Sequence, residues 1–252
     1  MTTPCFTKGF SLIELAIVLF IVALLLGGLL VPLTAQIDQQ RAKETQKTLA
    51  DVKEALIGFA ILNGRLPCPA TAISNGIEKF TGAIGTTPCT TYFSGFVPAS
   101  TLGMAPVNNQ GLLIDGWNNP IRYAVSDVTL GMTPNALTTT NGIKTETIAS
   151  LTGKNLLNIC ASSTGNTVGP TPTCGTAIKL TDSAPALVFS IGKNANAGTL
   201  GPDESANTDN NLLFISHEQS SGGAGNEDYD DILSWLSSGV LISRMVSAGV
   251  LP

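Results

Sequence analysis

Side chains able to do chemistry are few in this chain. The single histidine, His217, is followed by Glu218. No G-x-S-x-G elbow, H-E-x-x-H pair or catalytic cysteine context accompanies it. The neighbours Asp230 and Asp231 could imitate the carboxylate pair of a hydrolase, but adjacent acids read more readily as loop residues. There is no glycine-rich loop of the kind that cradles phosphate, so the sequence predicts no enzyme. The informative carboxylate is Glu14, inside the run T-K-G-F-S-L-I-E-L-A-I-V-L-F-I-V-A-L-L-L. An ionised group at that depth in lipid costs about 3 kcal/mol on mild insertion scales. Either a partner charge offsets that cost or the side chain snorkels to the interface.

The element that carries Glu14 runs from Phe10 to Val31, 22 residues. As helix it would extend ~33 Å, close to the hydrocarbon thickness of a bilayer. It is too long for an ordinary secretory signal, and Leu33-Thr34-Ala35 is a poor cleavage site. A core helix should carry polar interruptions, and a plain anchor leaves Glu14 unexplained. Pro32, with Gly27-Gly28 before it, predicts a kink or local break. Residues 34–62 read as further helix: Leu49, Val52, Leu56 and Phe59 form an apolar stripe opposite a charge-balanced face. Asn63-Gly64 stops it, and Pro67 and Pro69 prevent continuation.

The rest is turn-rich. Only 12% of residues are charged, and Gly, Thr, Ser and Asn are abundant. A net charge of −5 without clustered Lys or Arg argues against nucleic acid as a partner. Strands are predicted at Leu112–Ile114, Ile121–Val125, Leu156–Ala161, Ala177–Leu180, Ala186–Ile191 and Leu212–Ser216. The Thr-rich segment 126–153 reads as a long loop, and Ser238–Gly249 as a helix capped by Ser238, with Leu241, Met245 and Ala248 on one face.

The stretch Lys8-Gly9-Phe10-Ser11-Leu12-Ile13-Glu14-Leu15 resembles the cleavage and methylation motif of type IV prepilins and of the pseudopilins of type II secretion. In that family a basic residue and Gly end a short leader, Phe begins the mature chain, and Glu is fifth. The resemblance implies an α+β, pilin-like fold: a long N-terminal helix, its first half transmembrane, packed on an antiparallel β-sheet head with long loops. It divides the chain into a leader (1–9), a transmembrane half (10–32), an amphipathic half (33–64) and a periplasmic head (65–252). It implies cleavage after Gly9 by a prepilin peptidase and N-methylation of Phe10. Assembly would use Glu14, paired with the Phe10 amino group of a neighbouring subunit. The implied function is a structural subunit, a pseudopilin or minor pilin, and an adhesive or receptor-binding minor pilin is the alternative. Its partners would be other pilin subunits, the peptidase and an inner-membrane assembly platform. The chain would sit in the bacterial inner membrane as a single-pass protein. Trp117, Trp235 and the tyrosines would fill the core or, in the adhesive reading, form a binding platform.

Cys5 falls in the leader, which leaves Cys68, Cys89, Cys160 and Cys174 in a domain expected to be exported. Four cysteines allow three connectivities. The local pairs Cys68–Cys89 and Cys160–Cys174 are preferred, and a zinc site is disfavoured because no C-x-x-C spacing occurs. Two further stretches resemble the major pseudopilin head. One is Asp115-Gly116-Trp117-Asn118-Asn119-Pro120; the other is Phe189-Ser190-Ile191-Gly192-Lys193-Asn194 with the later Asp228-Tyr229-Asp230-Asp231-Ile232. In that family such segments bracket a calcium loop. The resemblance suggests calcium, with Glu227, Asp228, Asp230 and Asp231 as ligands and Asp203, Glu204 and Asp209 upstream. The longer intervening loop departs from the family, and a solvated acidic loop is the other reading. No cofactor is otherwise required.

Overall fold

The computed structural model describes residues 9, 11–131, 133–145, 156–167, 172–195, 200–220 and 228–251, and for residues 26–33 only the helical backbone. The chain divides into two compact units, Met1–Ala42 and Lys43–Pro252. Helix α1 covers Leu12–Asn63. Its backbone is helical without interruption through Pro32. The helix stops where the sequence places the stop. The N–H of Gly64 closes the last turn on Ala60, and Gly64 then takes φ +63°, a left-handed conformation that glycine adopts without a Cβ penalty.

The head contains β1 (Gly95–Phe96), α2 (Ala99–Leu102), β2 (Arg122–Val125), α3 (Gly142–Thr145), β3 (Leu157–Cys160), β4 (Lys179–Ala184) and β5 (Ala186–Ser190). After these come α4 (Pro202–Ala206), β6 (Leu213–Ile215), β7 (Ile232–Leu236) and α5 (Ser238–Ser247). One sheet has the order β1-β2-β5-β7, antiparallel throughout. The other has the order β4-β3-β6, in which β3 and β6 run parallel. Ala124, Leu187 and Phe189 of the first sheet bury against Leu157, Ile159, Ala184 and Phe214 of the second. Phe189 and Phe214 meet edge to face at 5.6 Å, a favoured aromatic geometry.

Two expectations are corrected here. Among the described residues no helix is long and apolar enough to cross a membrane. The expectation of a transmembrane first half, and with it a single-pass inner-membrane location, is therefore overturned. The head is also not one antiparallel sheet carrying the helix. The extensive element-to-element packing is strand on strand and α4 against β6, and α1 is not part of it. One apolar face of each sheet is covered by the other sheet, in place of the expected helix. The stripe of α1 (Leu49, Val52, Leu56, Ile57, Ala60) is buried, and hydrogen bonds tie the helix to connecting segments. Thr45 Oγ1 accepts from the Gly116 N–H, and the Ile143 N–H donates to the Gly64 carbonyl.

Smaller differences have local causes. Leu112–Ile114 forms only isolated bridges, with Val107 and Pro120, since a tight turn at Asp115–Asn119 follows at once. In α5 the N-cap position is Ser237, with no side-chain cap bond, and Leu241, Ile242 and Met245 form the buried face. Within the expected loop 126–153, residues 132 and 146–153 lie outside the described set.

Candidate functional site

Strand β5 ends at Ser190, and the segment that follows, Ile191–Asn194, meets the start of β7 around a group of carboxylates. Lys193 and Asn194 donate their backbone N–H groups to Asp230 Oδ2 at 3.0 and 3.1 Å. Gly192 has φ +63°, and a Cβ there would collide with the Asp230 carboxylate, so the close approach requires glycine.

Short α4 supplies Glu204. Asn194 Nδ2 donates to both of its oxygens at 2.8 and 2.9 Å, and the Asp230 N–H donates to Oε1 at 3.0 Å. Asn207, at the end of α4, holds this helix to the second sheet. Its Oδ1 accepts from the Ile215 N–H, and its Nδ2 donates to the Ile215 carbonyl and to Asp231 Oδ2 at 2.7 Å. Glu204, Asp230 and Asp231 each bring one oxygen within 4.8 Å of the others. Glu204 and Asp231 are almost fully buried.

Burial pushes the Asp231 carboxyl up to about 8, and the charges of Glu204 and Asp230 push the same way, against the Asn207 hydrogen bond and Arg122. Burial also raises Asp230 to about 6; hydrogen bonds from Asn194 and Lys193 oppose this, and the Glu204 charge adds to it. Two buried oxygens in the cluster, Asp230 Oδ1 and Asn194 Oδ1, have no hydrogen-bond donor. Hard oxygen donors, mutual carboxylate repulsion and orphaned oxygens fit a calcium-sized cation.

A second network frames this cluster. Asp115 is buried, and its Oδ1 accepts from the N–H groups of Trp117 and Asn119 at 2.8 Å. Its Oδ2 accepts from Ser190 Oγ, whose oxygen accepts in turn from the Gly192 N–H. Asn119 Nδ2 donates to the Gly192 carbonyl at 2.6 Å. The two stretches singled out in the sequence are thus bonded to each other beside the carboxylates.

A cleft of about 320 Å³ adjoins the cluster, between Gln46 of α1, residues 216–219 and the start of β7 at Asp231–Leu233. His217 lines it, with both ring nitrogens engaged: Nε2 with Asp203 at 3.2 Å and Nδ1 with the Glu218 carbonyl at 2.8 Å. Its ring stacks on Tyr229 at 3.7 Å.

The expected ligands are only partly gathered. Asp230 and Asp231 are in the cluster, Asp228 is exposed outside it, and Glu227 lies outside the described residues. Glu204, named in sequence only as upstream of the ligands, and Asn194, named only as the end of the Phe189–Asn194 stretch, take part. Asp203 serves His217 and the Ser163 N–H, and Asp209 accepts from Asn211. Tyr123 and Tyr229 are fully buried, and Trp235, half-buried, packs on the core between the sheets, while Trp117 and Tyr92 are half-buried.

Both preferred cysteine pairs are disulfides. Cys68–Cys89 and Cys160–Cys174 have Cα separations of 5.4 and 5.5 Å, within the range a disulfide spans.

At the other end of the chain, Gly9 is exposed and Phe10 lies outside the described residues. Glu14 has a local role that the sequence reading lacks. Its carboxylate accepts from the Ser11 N–H at 3.1 Å, while Ser11 Oγ accepts from the Glu14 N–H at 3.3 Å. This is a capping box, and its S-x-x-E signal is present in Ser11-Leu12-Ile13-Glu14.

No family model, characterised protein or solved structure matches the chain.

Proposed function

We propose that this chain is a structural subunit of a pilin-like or pseudopilus-like filament, processed after Gly9 and assembled through the N-terminal part of α1. The observation that carries this reading is the helix itself. It starts directly after the Gly9-Phe10 pair, and every side chain from Leu12 to Leu25 is exposed. A helix apolar on all faces is stable only when surrounded, and copies of the same helix are suitable neighbours. Cleavage by a prepilin-type peptidase would place a new amino group on Phe10, four residues before Glu14. Stacked copies would then pair that amine with a neighbour's Glu14, which sets the axial register.

The carboxylate cluster belongs to the same reading as a head-stabilising calcium site. Glu204, Asp230, Asp231 and the Asn194 carbonyl oxygen would hold the ion, and its double charge would relieve the repulsion among the three acids. The protein's own contribution is orientation: Asn207 and the Lys193 and Asn194 N–H groups fix the carboxylates before any ion arrives.

Cross-linking tests the helix-packing element. With Leu19→Cys in cells that carry a pilin-assembly machine, oxidation should yield dimers through α1. A strictly monomeric product, with the cysteine still reactive to alkylation, would contradict lateral packing.

A further inference from the structure

Among the described ion pairs, only Arg65–Glu78 is buried, with side chains 6% and 7% exposed. It lies where α1 ends. Arg65 Nη1 and Nη2 each donate to one Glu78 oxygen at 2.8 Å, the bidentate geometry that suits a guanidinium. The guanidinium also lies over the rings of Phe59 and Phe80, at 5.0 and 5.2 Å. Glu78 Oε2 accepts in addition from the Cys68 N–H at 3.1 Å.

The origin of these groups matters. Phe59 belongs to α1, whereas Glu78 and Phe80 belong to the loop whose ends are tied by Cys68–Cys89. Phe80 bridges Cys89 backbone to backbone, and the two sulfurs and the Phe80 ring form one buried cluster. A single covalently closed loop therefore delivers both the counter-ion and one of the two ring faces of Arg65.

We propose that the Cys68–Cys89 disulfide is a redox latch on the C-terminal end of α1, locked by the Arg65–Glu78 pair. Setting the latch removes two electrons and two protons from the Cys68 and Cys89 thiols. They pass to a disulfide-bearing oxidant, which leaves as a dithiol, and the S–S bond forms. This happens in the open chain. Once the loop closes, Cys68 is fully buried and Cys89 nearly so, and an attacking thiolate cannot reach either sulfur. Reopening must break both Arg65–Glu78 hydrogen bonds and lift the guanidinium off the Phe59 and Phe80 rings before a thiolate can enter. The bond thus forms readily and is shielded afterwards, and α1 keeps its docked end only while the bond persists. Cys160–Cys174 sits in a different cluster, with Leu213, Ile215 and Tyr229, and among the described residues no such ion pair lies over it, so it serves as an internal control.

The test is timed reduction of the folded full-length protein by a limiting dithiol, with alkylation and mass mapping of each cysteine. Glu78→Gln should speed reduction of Cys68–Cys89 by at least ~10-fold, because the buried pair no longer opposes local opening. Cys160–Cys174 should react at its original rate. Unchanged reduction of Cys68–Cys89, or equal acceleration of both bonds, would overturn the latch. If Glu78→Gln fails to fold, the double variant Cys68→Ser/Cys89→Ser decides by hydrogen exchange. Protection of residues 56–64 should then drop ~10-fold or more while β5 and β7 keep theirs. Undiminished protection of that helix end would equally refute the proposal.

Discussion

Glu14→Gln will be cleaved after Gly9 as efficiently as the wild type and yet will fail to enter filaments. The substitution separates two roles that Glu14→Ala would confound. Glutamine can still receive the Ser11 N–H, because a capping box accepts either Glu or Gln at this position, so the start of α1 is preserved. What is lost is the negative charge proposed to meet the Phe10 amine of a neighbour. Leaving one ion of a buried pair unmatched costs about 3–5 kcal/mol, or more than ~100-fold in an association equilibrium. Glu14→Ala should in addition lose the acceptor of the Ser11 N–H, half of the capping box. Sedimentation of filaments, with peptide mapping of the processed N-terminus, reads both effects. If the Gln variant assembled normally and only the Ala variant failed, Glu14 would be a cap and no more.

The second large effect is expected at the carboxylate cluster. Asp230 and Asp231 are raised to about 6 and about 8, from an ordinary value of 3.8. Between the ordinary and the raised values the folded chain holds more protons than the unfolded one. Stability from these groups is therefore fully present below about pH 4 and is lost as pH rises through 6 and then 8. Without calcium, Tm should fall across this window, and Asp231→Asn should flatten its upper limb. Calcium at 100 times its Kd adds about 2.7 kcal/mol. For a protein of this size that raises Tm by roughly 5–10 °C. The gain should be largest near pH 8, where the ion meets ionised ligands, and should shrink toward pH 5. Equal calcium shifts in the wild type and in Glu204→Gln or Asp231→Asn would remove the site. A wild-type Tm indifferent to calcium at pH 8 would do the same.

What the sequence discloses follows the range of the interactions involved. Strands β2, β3, β5 and β6, helix α5 and the stop at Asn63-Gly64 are set by local apolar runs and turn residues, and they lie near their expected places. Strand β7 was legible too: Ile232, Leu233 and Trp235 are apolar residues between acids and Ser237, but the acidic neighbours drew the reading toward a loop. The two-residue β1 carries too little pattern to be seen. The layer arrangement was hidden for a different reason. An apolar strand face must be covered, but nothing local says whether a helix or another sheet covers it, and here the sheets cover each other.

The cluster shows the same division. Asp230 and Asp231 stand out as neighbours, whereas Glu204 reaches them only because Asn207 binds α4 to β6 and to Asp231. That is a tertiary bond with no spacing rule. The Asp115–Ser190 and Asn119–Gly192 bonds are also long-range, although both stretches were conspicuous in sequence. The capping box at Ser11–Glu14 is local, with its S-x-x-E signal in the sequence, but the apolar setting of Glu14 points as strongly toward an intermolecular partner.

The claim on which the account rests is that residues 1–9 are removed so that α1 can join like helices. Mass determination of the N-terminal peptide, from protein produced beside an active prepilin-type peptidase, tests it most directly. The account predicts a chain beginning at Phe10 and carrying one extra methyl group. A chain still beginning at Met1, with the leader intact beside a peptidase proven on another substrate, would contradict it.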